Sequence, residues 1–144
     1  MTMHKSITPL PGANLLRTKW LAAAGLLALA ACTQTMPTQQ YTDEQVQQAG
    51  LALQTVRTAY GDGNYGAVIT QVARDGRLHD APSDIRIEAM KLQAFSFCMK
   101  NYTTMCLERF QTILAIQPDF DLSDDERGHP QWGPVFEQAK QVQQ

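Results

Sequence analysis

The chain has 144 residues, with 12 basic and 14 acidic side chains, a formal net charge of −2 and three cysteines. Three of the basic residues and none of the acidic ones precede Cys32, so the remainder is acidic and lacks the positive charge that nucleic-acid binding requires. This length predicts one small domain behind an amino-terminal segment of different composition.

The amino-terminal segment has the pattern of a secretory signal. Residues 1–19 are loosely basic, and Trp20 to Ala31 form an unbroken apolar run of about twelve residues. A membrane-spanning helix needs roughly twenty such residues, whereas a shorter run after positive charge is typical of a signal-peptide core. The sequence therefore predicts a signal peptide over residues 1–31.

The apolar run ends in Leu29-Ala30-Ala31-Cys32, which resembles the lipobox of bacterial lipoproteins. The resemblance implies a diacylglyceryl group on the Cys32 sulfur, cleavage before Cys32, and acylation of the new amino group with a fatty acid such as palmitate. An ordinary signal peptide with a chance cysteine and an uncleaved anchor are the alternatives. Because Thr33 replaces the aspartate typical of inner-membrane retention, we expect anchoring at the periplasmic face of the outer membrane. Residues 32–40 would then be the lipidated cysteine and a polar tether.

The first half of the remaining chain shows helical periodicity. Thr42 and Gln45 form a capping-box signature for a first helix, which the glycines at residues 61–63 are expected to end. A second helix is predicted from an Asn64 cap to Gly76, followed by a loop over residues 77–82.

The second half continues the same pattern. Ser83 is the expected cap of a third helix, and Asn101 suits the turn that follows it. A fourth helix is predicted from Thr103 to Ile116, and Gly133-Pro134 is expected to open a last amphipathic helix. Five helices and no alternating pattern typical of strands predict an all-α fold of helical hairpins.

Residues 87–120 resemble one tetratricopeptide repeat, a 34-residue helical hairpin. The matching small, aromatic and proline positions are Ala94, Phe97, Cys106, Phe110 and Pro118. Met90, Gln93 and Ile113 depart from the pattern, and a weaker unit surrounds residues 60–69. The resemblance implies about two tetratricopeptide-like hairpins and a carboxyl-terminal capping helix within a domain over residues 41–144.

The carboxyl-terminal segment narrows the resemblance. The lipobox, the hairpin "CLERFQTILAIQPDF" and the run "GHPQWGPVF" resemble small lipoproteins associated with type VI secretion, the TssQ-type family. The resemblance implies an accessory factor whose partners are secretion-system or envelope proteins. Similar tails end other periplasmic repeat proteins. The alternative is therefore an envelope-biogenesis lipoprotein that binds outer-membrane assembly or peptidoglycan machinery.

The cysteines, histidines and acidic residues that could form a catalytic or metal site are expected to have structural roles instead. Cys98 and Cys106 are expected to be buried free thiols, with a disulfide as the alternative, and no histidine is placed beside either for catalysis. His79 and His129 are expected at the surface or in caps. The acidic run at residues 119–126 lacks the glycine and glutamate of a calcium loop, so we expect a solvated loop with helix caps.

Two groups of residues are candidate contacts for a protein partner. Trp132 and Phe136 belong to an aromatic and proline-rich cluster, and exposed tryptophan is enriched in binding hot spots, although closure of the core is the simpler interpretation. The second group lies on the inner face of the repeat mapping and comprises Glu88, Lys91, Phe95 and Cys98.

These patterns predict an outer-membrane-anchored lipoprotein that acts as a non-enzymatic protein-interaction module. The covalent lipid on Cys32 is the one bound group expected, without a metal, another cofactor, a nucleic-acid partner or a small-molecule substrate. An enzyme acting on cell-wall material remains as an alternative, and it would need an acid–base pair in a cleft.

Overall fold

The computed structural model describes residues 40–141, and every regular element in this range is a helix. Helices cover 75% of these residues, which confirms the all-α prediction. The predicted signal peptide, Cys32 and the tether up to residue 39 lie outside the described residues, as does the end of the chain after Gln141. No helix of the described range is both long and apolar enough to cross a bilayer.

The described helices follow one another with short connections. In chain order they are α1 (Asp43–Gly61), α2 (Tyr65–Arg74), α3 (Gly76–His79), α4 (Ser83–Met99), α5 (Thr103–Ile116), α6 (Asp124–Arg127) and α7 (Gly133–Gln141). The five longer helices correspond to the five predicted ones, and α3 and α6 are additional single turns.

The first hairpin, α1 and α2, begins and turns as the sequence predicts. The Thr42 hydroxyl accepts a hydrogen bond from the Gln45 N–H, and the Gln45 side chain accepts one from the Thr42 N–H. The turn after Gly61 uses a left-handed Gly63 with φ of 71°, and the Asn64 side chain accepts from the Ala67 N–H to cap α2.

The segment between α2 and α4 differs from the prediction. A loop was expected over residues 77–82, but the Asp75 carboxylate accepts the Arg77 N–H and starts α3, whose Leu78 is buried. Burial of this leucine explains why the turn is ordered as helix. Ser83 is the first residue of α4, not its cap, and its side chain makes no capping hydrogen bond.

The α4–α5 hairpin forms the centre of the fold. Helix α4 packs against α1, α2, α3 and α5, and ten of its seventeen residues are buried. Asn101 adopts the expected left-handed conformation at the turn, with φ of 60°, and α5 has its predicted bounds. Phe110 is fully buried, as the repeat mapping predicts.

Buried polar groups tie α4 to its surroundings. Gln93, which stands where the predicted repeat pattern would have a leucine, is buried and donates from Nε2 to the Ile69 carbonyl oxygen of α2 at 2.9 Å. Ser96 is also buried and donates to the Leu92 carbonyl oxygen one turn earlier. A leucine at residue 93 would lose the direct link to α2.

Helix α7 closes the aromatic end of the core against α5. Phe136 contacts the rings of Phe110 and Phe120 in edge-to-face arrangements, at centroid distances of 5.1 Å and 5.9 Å. At the start of α7, a side chain on Gly133 would collide with the Arg127 carbonyl oxygen. The glycine therefore permits the close approach of α7 to the end of α6.

Candidate functional site

Four charged side chains from three helices form a continuous series of ion pairs, here called the charged strip: Arg57, Glu88, Lys91 and Glu126. Arg57 Nε lies 3.5 Å from Glu88 Oε1, and Lys91 Nζ lies 3.3 Å from Glu88 Oε2. Lys91 Nζ also donates to Glu126 Oε1 at 2.6 Å. The strip thus crosses from α1 over α4 to α6.

Helix spacing and capping bring these groups together. Glu88 and Lys91 are three residues apart on α4, so they share one face of that helix. Glu126 is the third residue of the single turn α6, where its Oε2 accepts the Ser123 N–H while the Ser123 hydroxyl accepts the Glu126 N–H. The capping box therefore fixes the carboxylate that Lys91 contacts.

The pKa of Glu126 reflects these contacts. Partial burial raises it, but the hydrogen bonds from Lys91 and from the Ser123 N–H outweigh burial and hold the pKa below its usual range. The carboxylate is therefore ionised at neutral pH and keeps the strip paired. The backbone of the same residue has a further role, because its carbonyl oxygen accepts the Trp132 indole N–H at 2.8 Å.

A stack of aromatic rings lies against the strip. The rings of Phe95 and Trp132 are stacked with centroids 4.2 Å apart, and the His129 ring stacks on the indole at 3.3 Å. Lys91 Nζ lies 5.9 Å from the centre of the Phe95 ring, within the range of a cation–π interaction. The Lys91 ammonium group is thus held beside an ordered stack of aromatic rings.

Burial confirms that Trp132 and Phe136 close the core and argues against the alternative that they form an exposed anchor, and it corrects the placement of Phe95 on an accessible inner face. Phe95, Trp132 and Phe136 are 2%, 7% and 0% exposed, so they are core residues and Trp132 presents almost no surface to a partner. The indole is buried because its N–H donates to a backbone carbonyl oxygen of α6 and the rings of Phe95 and His129 stack against it. Cys98, also predicted on the inner face, is buried.

Tyr60 lies at the α1 edge of the same aromatic group. Its ring is 6.3 Å from Phe95 and 5.6 Å from Tyr65. Burial raises the pKa of Tyr60 to about 12, and negative charge at Tyr65 and Glu126 acts in the same direction. The phenol therefore stays protonated to a higher pH than an exposed tyrosine does.

Glu88 and Lys91 are the predicted contact residues that the structure leaves accessible. Their side chains are 30% and 16% exposed, and the flanking Arg57 is 50% exposed. Alternating positive and negative groups held in fixed positions favour a partner with the opposite alternation, because each group can exchange solvent for a matched charge. This surface is therefore suited to recognising a partner by charge, and its own charged groups are held in place by pairing with one another.

The two remaining cysteines form a disulfide, which corrects the preference for free thiols. Cys98 near the end of α4 and Cys106 in α5 are linked across the turn, with their Cα atoms 5.4 Å apart. The sequence spacing of eight residues leaves open whether two helix faces meet. The tight turn at Asn101 folds α5 back onto α4 and brings the two sulfurs together.

The histidines and the acidic run have structural contacts. His79 faces the Val72 carbonyl oxygen through Nε2 at 2.8 Å, and His129 is half-buried against Trp132. In the acidic run, Asp121 pairs with Arg127 and lies 3.9 Å from Lys140. Within residues 40–141, no group of three or more histidine, cysteine or acidic side chains is placed to hold a metal ion.

Sequence reasoning missed Arg57 of the charged strip and Tyr60 of the adjoining aromatic group. Arg57 and Tyr60 lie near the end of α1, and the only signal for them was their place on the helix face that turns towards α4. Glu126 was predicted as part of an acidic loop, and the Ser123–Glu126 spacing is the capping-box signal that could have located it.

Comparisons with protein-family models, with curated proteins and with solved structures find no match for this chain. The class that the structure itself defines is an all-α domain of packed helical hairpins with an internal disulfide and a solvent-facing charged strip.

Proposed function

We propose that this chain is a lipid-anchored outer-membrane protein whose helical domain binds other proteins, as an accessory factor of a type VI secretion system. The observation that carries the binding role is the charged strip, in which accessible charges from three helices are fixed by capping and aromatic packing. Preorganised charges of this kind favour specificity and fast association.

Two features support the cellular location. The segment Leu29 to Cys32 resembles a lipobox, and the TssQ-like segments follow it in the same chain. The Cys98–Cys106 disulfide supports the same location independently of the signal segment, because disulfides persist in oxidising compartments such as the periplasm. A double acyl anchor at Cys32 would hold the domain at the membrane surface, where envelope machinery is accessible.

The binding role is tested by charge reversal at the strip. Glu88→Lys removes the carboxylate that pairs with Arg57 and Lys91, while Glu108→Lys makes the same change on the exposed face of α5 and is the matched control. After crosslinking in cells, the wild-type chain and the control are expected to recover secretion-system proteins and Glu88→Lys to recover much less.

Two outcomes would contradict this role. Recovery of outer-membrane assembly or peptidoglycan proteins instead would favour an envelope-biogenesis function. Equal recovery of secretion proteins by all three chains would show that the charged strip is not the contact surface. Melting temperatures of the three purified chains separate lost binding from lost folding.

The anchor has its own test at Cys32. Cys32→Ser removes the sulfur that would receive the diacylglyceryl group, so the precursor should stay uncleaved by the lipoprotein peptidase and take up no labelled palmitate. Cys98→Ala with Cys106→Ala is the control, because it removes the other two cysteines and should leave labelling unchanged. Normal labelling of the Cys32→Ser chain would refute the lipobox prediction.

A further inference from the structure

A second feature, away from the charged strip, is a cleft of about 390 Å³ between α2, α3, α4 and α5. Its wall is mainly apolar, with Val72, Leu78, Ala89, Met90 and Ile116 among the lining residues. Three polar side chains also line it: His79, Arg86 and Arg109. The combination of an apolar wall with a few convergent polar groups is typical of small-ligand sites, and the volume lies in their usual range.

The two arginines of the cleft make no ion pair with any of the described acidic side chains. Within residues 40–141, five of the basic side chains make ion pairs: Arg57, Arg77, Lys91, Arg127 and Lys140. Arg86 and Arg109 make none, although this part of the chain carries more acidic than basic residues. Among the described residues, two positive charges without an ion-pair partner thus lie at one cleft.

Shelter from solvent distinguishes these arginines from the other unpaired cations. Arg74 and Lys100 are exposed, so water solvates them, whereas Arg86 and Arg109 are half-buried. Arg86 Nε is enclosed and has no hydrogen-bond partner among the described residues. Burial lowers the pKa of Arg109, and the charge of its neighbour Glu108 opposes that effect only in part.

A guanidinium nitrogen that is enclosed without a partner destabilises a fold, because it loses water and gains no compensating bond. This applies most directly to Arg86, whose Nε is enclosed. An anion placed between the apolar walls would supply that bond, and guanidinium groups match carboxylate and phosphate oxygens in geometry. His79 is fixed at the same wall, because its Nε2 donates to the Val72 carbonyl oxygen.

We propose that this cleft binds a small ligand with an anionic head, a carboxylate or phosphate, on a short apolar body. Arg86 and Arg109 hold the head, and the aliphatic wall takes the body. This site is separate from the charged strip, so its failure and the failure of the proposed partner binding are distinguishable.

The test is calorimetric titration of the full chain, solubilised from membranes in a nonionic detergent. Hexanoate and hexyl phosphate are the probes, because they carry the two head groups on one apolar body. Hexanamide lacks the charge, and acetate lacks the body. The expected result is saturable binding of at least one anionic hexyl probe, with hexanamide and acetate each binding much more weakly. The stronger of the two anionic probes identifies the head group.

Variants connect binding to the two arginines. Arg86→Gln and Arg109→Gln are each expected to weaken binding at least about tenfold, since a charge-assisted hydrogen bond is lost. Lys100→Gln is the matched control, because it removes one positive charge at the far end of α4, about 20 Å along the helix from Arg86. It should leave affinity within about twofold of wild type.

Melting temperature separates a ligand role from a structural one. If the arginines serve a ligand, the glutamine variants keep or raise the melting temperature of the free protein, because an uncompensated charge has been removed. The proposal is overturned if neither hexyl probe binds, or if both arginine variants bind like wild type. It is also overturned if hexanamide binds as tightly as the anionic probes.

Discussion

The amino-terminal hairpin, α1 and α2, and the carboxyl-terminal half, α4 to α7, contribute different kinds of side chain to one hydrophobic core. Helix α1 buries four of its nineteen residues, all of them alanine, leucine or valine. In contrast, the carboxyl-terminal half contains a connected set of aromatic rings together with the disulfide: Phe95, Phe110, Phe120, Trp132 and Phe136. The aromatic set thus lies mainly in the carboxyl-terminal half and reaches α1 through Tyr60, while both helices of the amino-terminal hairpin pack against α4.

The largest effect is expected from removing a central ring. Phe110→Ala deletes a fully buried side chain that contacts Phe95 and Phe136, and should lower the free energy of unfolding by about 3–5 kcal/mol. Val68→Ala, also fully buried but in α2, should cost about 2 kcal/mol. Leu51→Ala, at a site 57% exposed, is the surface control and should change little. Urea unfolding gives all three values, and equal costs at residues 68 and 110 would contradict the comparison.

The next effect concerns the disulfide of the carboxyl-terminal half. Replacing Cys98 and Cys106 together by alanine should cost about 2–3 kcal/mol, chiefly by releasing a constraint on the unfolded chain. Reductant should lower the melting temperature of wild type and leave that of the double variant unchanged. A wild-type melting temperature insensitive to reductant would show that the link contributes nothing to stability.

Replacing a glycine by alanine should change stability in opposite directions in the two halves. Gly133→Ala forces a side chain against the Arg127 carbonyl oxygen and should cost about 1–3 kcal/mol. Gly50→Ala in α1 meets no atom within 4 Å and should stabilise by about 0.5–1 kcal/mol, because alanine is the better helix former. Thermal melts of the two variants decide the point, and a shift of the same sign in both would be inconsistent with the close packing at α7.

The smallest effect is electrostatic and depends on pH. Because the pKa of Glu126 is lower in the folded chain, its stabilisation is present above the unfolded-state pKa and is lost as pH falls through the folded-state pKa. Glu126→Gln should therefore be less stable than wild type at pH 7, by about 1 kcal/mol or less for a partly exposed pair, and the difference should shrink in acid. Asp125→Asn, on the exposed face of the same turn, is the control. Parallel stability curves for wild type and Glu126→Gln between neutral and acid pH would refute the assignment.

Local signals predicted most of the fold. Several helix ends depend on only a few neighbouring residues, so the sequence alone was sufficient to predict them. They are the caps at Thr42 and Asn64, the left-handed turn at Asn101 and the start of α7 at Gly133-Pro134. Apolar character alone does not show which side chains are buried, because Val46 and Leu51 of α1 are apolar and yet exposed.

The candidate site was predictable only in part, because its residues meet through tertiary packing. The repeat mapping placed Glu88 and Lys91 on one accessible face, but it did not show that Glu126 completes the pairing from 35 residues away. Nor did it show that Trp132 is buried, since that depends on an acceptor in α6 and on rings from other parts of the chain. The disulfide was missed for the same reason, as it depends on how closely α5 returns to α4.

The central position of α4, in contact with four other helices, limits how this sequence can change in evolution. A helix that packs against four others and buries ten of its seventeen residues has few positions where a substitution is free, whereas α1 buries only four of its nineteen. Divergent relatives should therefore retain the α4–α5 segment, with its paired cysteines and buried glutamine, after the amino-terminal hairpin has changed beyond recognition. A search for such relatives should be anchored on residues 87–114.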